Sequence, residues 1–305
     1  MIITRYVEEK FVPEHVAIKG AAGRTHYRSI LKHVLSPEEV HRIFHENAGR
    51  SRNKLRSVPD WPYLSNLQLG EVRPEHVEKL ISAALNRGYS TQTATHIRNV
   101  VSAIYSHALK ERDFQGDNPA IRAALPGMNR KEAHALTLDE ARTLLQRMRY
   151  PEKQMALMAL MSNMNVAEIC GMQWRYVNLS EQAVEIDGET IPPETVAVRR
   201  QWYRGELSDV KPIRARNISI GRTLLPVLTK LSARPRFVGP GDFVLVSQAG
   251  TPINETNIAT RRLKAIGEEL QMPWLSWQVF RRTHKAFRYS YGADYESYLA
   301  MLLNE

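Results

Sequence analysis

The chain has 305 residues, and its 42 Lys and Arg against 32 Asp and Glu give a formal net charge of +10. A hydrophobic share of 43% and a charged share of 24% are typical of a folded globular protein, which excludes disordered, collagen-like and low-complexity classes. The single cysteine, Cys170, excludes an internal disulfide framework and a multi-cysteine zinc site, and it favours a reducing cytoplasm. The excess of positive charge favours a polyanionic partner.

The first half of the chain is predicted to be helical. Ser36-Pro37-Glu38-Glu39 has the pattern of a capped helix start, and residues 74–86 carry apolar side chains at helical spacing. Another helix begins after Ser90. This helical unit ends at Asp117-Asn118-Pro119, because proline disfavours helix in the residue before it. Residues 125–135 contain proline and glycine and have no apolar period, so they are interpreted as a linker.

The second half mixes helices and short strands. Thr137-Leu138-Asp139-Glu140 predicts a second capped helix start, and a strongly apolar helix is predicted at 153–164. Further strands and helices are predicted from local periodicity. The strands are 183–186, 196–202, 217–220 and 243–246, and the helices are 222–232, 254–270 and 278–291. The sequence therefore predicts a mainly α chain with a small β-sheet in an α+β second domain.

Basic residues are concentrated between residues 195 and 240, where ten Lys and Arg accompany only two Asp and Glu. Trp202 and Tyr203 lie among them, and this combination favours nucleic acid over an ordinary solvated face. Arg281, Lys285 and Arg288 fall on one face of a predicted helix, where they could hold a phosphate. An ordinary hydrated helix surface explains that second cluster equally well.

Several segments, taken in their order and spacing, resemble the tyrosine recombinase, or phage integrase, family. Asn165 to Trp174 is similar to its first catalytic motif, and Phe280 to His284 is similar to its second. The resemblance implies an N-terminal helical arm region at 1–63, a helical core-binding domain at 64–124, a linker at 125–135 and an α+β catalytic-type domain at 136–305. In this family two arginines, a hairpin lysine and one or two histidines surround a phosphate that a tyrosine attacks.

The chemistry explains that set of residues, because guanidinium groups stabilise the charge gained by the phosphate and Lys or His protonates the leaving oxygen. The resemblance implies that Arg281 is the second arginine and Lys211 the hairpin lysine, although the spacing at Lys211 is off by about one residue. Asn165 falls at the first arginine, and Gln278 falls at a histidine. The family's next histidine motif and its tyrosine helix find no match before residue 305.

Strand cleavage by this chain alone is therefore expected to be severely impaired. The four late tyrosines lie much nearer Arg281 than the family's tyrosine would, so a packing or surface role is expected for them: Tyr289, Tyr291, Tyr295 and Tyr298. No cofactor is implied, since the histidines lack metal-ligand spacing and no glycine-rich phosphate loop is present. The longest apolar run, Met155 to Met161, is too short to cross a bilayer, so no membrane is expected.

The sequence thus predicts a clamp on double-stranded DNA that acts in DNA integration and site-specific recombination, in the cytoplasm at the nucleoid, with self-association on DNA. Backbone contacts are expected from Lys211 and from six arginines: Arg98, Arg200, Arg214, Arg216, Arg281 and Arg282. Two alternatives remain open. One is an active recombinase whose missing groups come from another subunit or a C-terminal continuation, and the other is a non-catalytic protein-interaction module.

Overall fold

A computed structural model of the chain describes residues 1–45, 57–125, 127, 133–294 and 297. It divides into two compact units, Met1–Lys131 and Glu132–Glu305, and each unit has its own hydrophobic core. The mainly α architecture with small sheets that the sequence predicted is confirmed. Among the described residues, no helix is both long enough and apolar enough to cross a membrane. Much of the predicted linker, including Pro126, lies outside the described residues.

The first unit is built from helices around one core. Its helices are α1 (Ile3–Tyr6), a π-helical segment (Val7–Val16), α2 (Ala21–Val34), α3 (Pro37–Ile43), α4 (Pro74–Asn86), α5 (Thr91–Lys110) and α6 (Pro119–Arg122). The predicted cap at Ser36 is confirmed, since its side chain accepts a hydrogen bond from the amide of Glu39. Ser90 caps α5 in the same way and accepts from the amide of Thr93. Buried residues from both sides of position 63 share this core, so α5 packs against α2 and α4 alike.

A cluster of histidine and tyrosine side chains, most of them partly buried, belongs to the first unit. His15 Nε2 is 3.1 Å from the Tyr27 hydroxyl, and the rings of His26 and His96 meet edge to face at 4.8 Å. Burial lowers the pKa of His15, His26 and His33, because desolvation disfavours their charged forms. The folded unit therefore holds these imidazoles in their neutral form more strongly than the unfolded chain does.

We expect the first unit to lose stability as the pH falls below about 6.5, the ordinary histidine pKa. The unfolded chain takes up protons first because its histidine pKa values are higher, whereas above this pH both states are neutral and the difference vanishes. Hydrogen exchange of the α5 amides at pH 7.5 and 5.5, corrected for intrinsic rates, measures the effect. The double variant His15→Gln, His26→Gln should show a smaller loss, and equal protection of the natural protein at both pH values would contradict the prediction.

The second unit surrounds the apolar helix α8. Its helices are α7 (Leu138–Arg147), α8 (Glu152–Ser162), α9 (Val166–Gly171), α10 (Gly221–Ser232), α11 (Glu255–Ile258), a π-helical turn (Ala259–Leu263), α12 (Lys264–Glu269) and α13 (Trp277–Tyr291). α7 begins at the predicted capping box, where the Thr137 hydroxyl accepts from the Glu140 amide at 3.2 Å. α8 is buried along most of its length and packs against α13, α10 and α9.

Short antiparallel strands cover part of this helical core. They are β1 (Val177–Asn178), β2 (Val184–Ile186), β3 (Glu189–Ile191), β4 (Thr195–Val198), β5 (Arg200–Tyr203), β6 (Glu206–Asp209) and β7 (Arg216–Ser219). One sheet has the order β1-β4-β7, with Thr195 opposite Ser219 and Val198 opposite Arg216. The pairs β2-β3 and β5-β6 are separate hairpins.

The single strand predicted at 196–202 is wrong, because β4 ends at Val198 and β5 starts a different sheet. Arg204 and Gly205 have φ values of 49° and 87°, which suit a type I′ hairpin turn. β5 therefore folds back onto β6, whereas β4 pairs with the distant β7.

The strand predicted at 243–246 is also wrong. Phe243 and Val246 form only isolated bridges, with Gln173 and Pro252 respectively. Pro252 has no N–H to donate, so the pairing at Val246 cannot extend into a ladder.

The end of α9 lies directly against β5. An added Cβ at Gly171 would be 2.4 Å from the Cα of Gln201 and 2.5 Å from the amide nitrogen of Trp202. Both atoms belong to the backbone, so neither can move aside as a flexible side chain could. Glycine at this position allows the helix to approach the strand, and the strand in turn holds α9 in place.

Candidate functional site

The turn between α8 and α9 contains Asn165, the residue that the resemblance aligns with the first arginine of the family. Asn163 ends α8 with a left-handed φ of 53°, a conformation that asparagine tolerates better than most residues. Asn165 then caps α9. Its side-chain Oδ1 accepts from the backbone amide of Glu168 at 2.9 Å, and its backbone amide donates to Glu168 Oε2 at 3.1 Å. The side chain at position 165 is therefore engaged in beginning a helix.

α13 brings Arg281 to the same turn. The Nε of Arg281 donates to the carbonyl of Asn163 at 3.1 Å and to its Oδ1 at 3.3 Å. His284, one turn later, lies buried with its Nδ1 2.6 Å from the carbonyl oxygen of Leu160 on α8. Arg281 is therefore held at the C-terminal end of α8 by Asn163, which lies two residues along the chain from Asn165.

Burial lowers the pKa of His284, and the neighbouring cations Arg288, Arg281 and Lys285 lower it further. A neutral imidazole whose Nδ1–H donates to Leu160 fits this environment. His284 thus fastens α13 to α8, next to Arg281, and has little contact with solvent.

A buried carboxylate connects Asn165 to the β-sheet. Glu168 has a side chain only 3% exposed, and its Oε2 accepts from Arg216 Nη2 at 2.9 Å. Its other oxygen accepts from Asn165 Nδ2 at 2.7 Å. The charges of Glu168 and Arg216 offset each other and Asn165 is neutral, so this network adds no net positive charge to the site.

Lys211 lies on the turn that leads into β7. It precedes a short 3-10 turn, Pro212–Arg214, and its carbonyl accepts from the Arg214 amide at 2.7 Å. Lys211 and Arg214 are exposed, whereas Arg216 turns inward to Glu168. The basic turn is thus attached through Arg216 to the helix that Asn165 caps.

The other predicted site residues lie outside the hydrogen-bond network around Asn163 and Glu168. Arg200 of β5 pairs with Asp209 at 2.9 Å, while Gln278 and Arg282 are exposed on α13. Arg98 belongs to the first unit, where its Nε and Nη2 donate to the carbonyls of Ala120 and Ile121 at 2.7 and 3.1 Å, at the end of α6. DNA contact by these residues stays a prediction.

The late tyrosines are only partly covered by the structure. Tyr289 is 93% exposed, and Tyr291 packs its ring against Phe287 with 5.9 Å between centroids. Tyr295 and Tyr298 lie outside the described residues. Within the described part of the chain, no group of three or more His, Cys, Asp or Glu side chains could hold a metal ion.

Sequence reasoning missed the hydrogen-bond partners that define this site. Asn163 as the acceptor for Arg281, and Arg216 as the partner of Glu168, connect residues separated by 118 and 48 positions. The one local signal is an asparagine at the end of an apolar helix, a residue that tolerates the left-handed conformation. Long-range partners of this kind are set by the packing of α13 and β7 around α8.

No protein-family model matches the sequence, and no curated protein matches it. Among solved structures, the Tn1549 transposon integrase in complex with transposon right-end DNA is similar at a TM-score of 0.67 and 12% identity, over 100% of this chain and 94% of that one. A lambda integrase dimer bound to a COC′ core site is similar at a TM-score of 0.55 and 15% identity, over 97% of this chain and 92% of that one. A lambda integrase tetramer bound to a Holliday junction is similar at a TM-score of 0.56 and 15% identity, over 97% of this chain and 75% of that one. The chain therefore has the fold of the tyrosine recombinase, or integrase, family.

Proposed function

We propose that this protein binds double-stranded DNA in DNA integration or site-specific recombination, and that its own strand cleavage is severely impaired. The observation that carries the proposal is that Arg281 is held at the turn between α8 and α9 by Asn163, while the neutral side chain of Asn165 in the same turn is engaged with Glu168. Support comes from the fold, since the integrases that share it are in complex with DNA. Self-association on DNA belongs to the same proposal, because the similar lambda integrase includes a tetramer.

Arg281 is arranged to hold a phosphate. Its Nε is fixed by Asn163, and no described residue accepts a hydrogen bond from its two Nη atoms. A guanidinium held at one side presents its remaining donors as a fork that matches phosphate oxygens. Lys211 and Arg214 lie exposed on the turn that leads to the same network, which extends the positive surface.

Asn165 and Gln278 weaken the chemistry without removing the binding. Asn165 is neutral and uses its amide on Glu168, so one donor for the transition-state charge is missing, which typically costs about 10²–10³ in rate. Gln278 cannot donate a proton near neutral pH, and loss of a proton-transfer group typically costs about 10²–10⁴. Such losses do not add simply, yet either is large.

The Arg281→Ala variant is expected to bind duplex DNA at least about tenfold more weakly than the natural protein, because a charge-assisted hydrogen bond contributes about 1.5–3 kcal/mol. Fluorescence anisotropy with a labelled duplex at about 50 mM salt measures the change. Arg147→Ala is the matched control, since Arg147 is an exposed arginine of α7 that pairs with Glu269 at 3.1 Å. Equal losses in the two variants would count against the phosphate site.

Two further outcomes separate the alternatives. A nicked suicide duplex that traps phosphotyrosyl intermediates should give no covalent adduct, and an adduct would favour the active recombinase. Failure of the natural protein to bind any duplex at low salt would contradict the proposal and favour a protein-interaction module.

A further inference from the structure

A second basic site lies on the second unit, in a groove between α8 and α10. The groove has a volume of about 620 Å³, within the range typical of small-molecule sites. Lys153, Arg222 and Lys230 line it, and no Asp or Glu is among its lining residues. No described residue forms an ion pair with any of these three cations. An anion entering the groove would therefore meet positive charge that is not already compensated.

Part of the groove wall is apolar. Val227 and Leu231 of α10 line it, together with Leu157 of α8, which is only 3% exposed. At one end, Arg234 is fixed by hydrogen bonds to the carbonyls of Phe243 and Val244, at 2.7 and 2.9 Å. A simple hydrated ion uses none of this apolar surface, whereas an organic anion with a flat or apolar body would bury it.

One buried atom of a residue that lines the groove has no hydrogen-bond partner among the described residues. Gln154 lines the groove, and its Oε1 is buried without a hydrogen bond from any described residue. Buried acceptors are nearly always paired, since an unpaired one loses its interaction with water and gains nothing in return. This oxygen has almost no accessible surface, so a donor on a bound molecule satisfies it only when the Gln154 side chain turns into the groove.

The groove is separate from the DNA site. Lys153 and Asn163 lie ten residues apart along α8, which corresponds to about 15 Å of helix. Lys153 is in the first turn, whereas Asn163 follows the last turn and contacts Arg281. The two sites therefore occupy opposite ends of one buried helix.

We propose that this groove binds a small organic anion of nucleotide size, of the class of the nucleoside monophosphates. Lys153, Lys230 and Arg222 hold the phosphate, and the base lies against Val227 and Leu231. An exocyclic amine of the base donates to Gln154 Oε1 once that side chain has turned into the groove. Side-chain cations take the place that a glycine-rich loop has in other nucleotide sites. The inference stands independently of DNA binding.

Calorimetric titration of the full chain with AMP tests the proposal, with inorganic phosphate and adenosine as separate fragments. AMP should bind at least about tenfold more tightly than either fragment, and the double variant Lys153→Ala, Lys230→Ala should lose about tenfold or more. Lys264→Ala is the control, because Lys264 is a 71% exposed cation on α12, away from the groove. Absence of AMP binding, or equal binding by the double variant, would overturn the proposal.

Gln154→Leu separates recognition from folding. Replacing an unpaired buried acceptor should leave the Tm of the free protein unchanged or higher, while AMP affinity falls. A lower Tm together with unchanged AMP affinity would contradict the role given to Gln154. Arg281→Ala should bind AMP as the natural protein does, so AMP binding without duplex binding would leave this inference intact and remove the proposed function alone.

Discussion

The Gly171→Ala variant is expected to lose at least about 3 kcal/mol of unfolding free energy, at the upper end for overpacked sites. The new methyl group would lie 2.4 Å from Gln201 Cα and 2.5 Å from its carbonyl carbon, so α9 and β5 would have to separate. Separation would also disturb the contacts that Ile169 and Cys170 make in the core. Denaturant unfolding followed by circular dichroism measures the loss.

Gly241→Ala is the matched control for Gly171. The nearest atom to its added Cβ is a side-chain nitrogen of Arg175 at 3.8 Å, an ordinary contact with a flexible group. This variant should stay within about 1 kcal/mol of the natural protein. Similar losses in the two glycine variants would mean that the close approach of α9 to β5 does not limit stability.

Glu168→Gln is expected to cost about 3 kcal/mol, because it leaves the half-buried Arg216 without its counter-charge. The carboxylate is 3% exposed and the arginine side chain 34%, which places the effect at the low end for a buried pair. Arg216→Met in the Glu168→Gln background should recover part of the loss, since the unpaired charge is then absent. The unfolding free energies of the two single variants, the double variant and the natural protein form the cycle that measures this coupling.

Glu168→Gln is expected to affect duplex affinity differently from stability. In the folded variant, Glu168→Gln removes one negative charge beside Asn165, and Arg216 is then free to attract phosphate. Duplex affinity should therefore rise or stay level while stability falls. A parallel fall of both in folded protein would argue that Glu168 acts on DNA binding only by holding the fold.

Local sequence patterns predicted the helices well because their determinants are local. The serine of Ser36-Pro37-Glu38-Glu39 and the threonine at position 137 both cap their helices as expected. The apolar spacing at 74–86 predicted α4 with its observed bounds. Each signal depends on residues three or four positions apart, which interact within one helix.

The strands and the site could not be predicted as fully because their determinants are distant. Nothing near Arg199 indicates that β4 pairs with β7 while β5 pairs with β6. The resemblance identified Asn165 and Arg281 as positions of interest. It did not show that Asn165 begins a helix, or that a buried Glu168 joins it to Arg216. Those roles follow from tertiary packing around α8.

The salt dependence of duplex binding tests the central claim most directly. If about four cations around Arg281 contact phosphates, the slope of log K against log salt is about −3.6, and affinity falls about a hundredfold between 50 and 200 mM. Arg281→Ala should reduce the magnitude of that slope by about 0.9. Equal affinity of the natural protein at the two salt concentrations, or an unchanged slope in Arg281→Ala, would contradict the account.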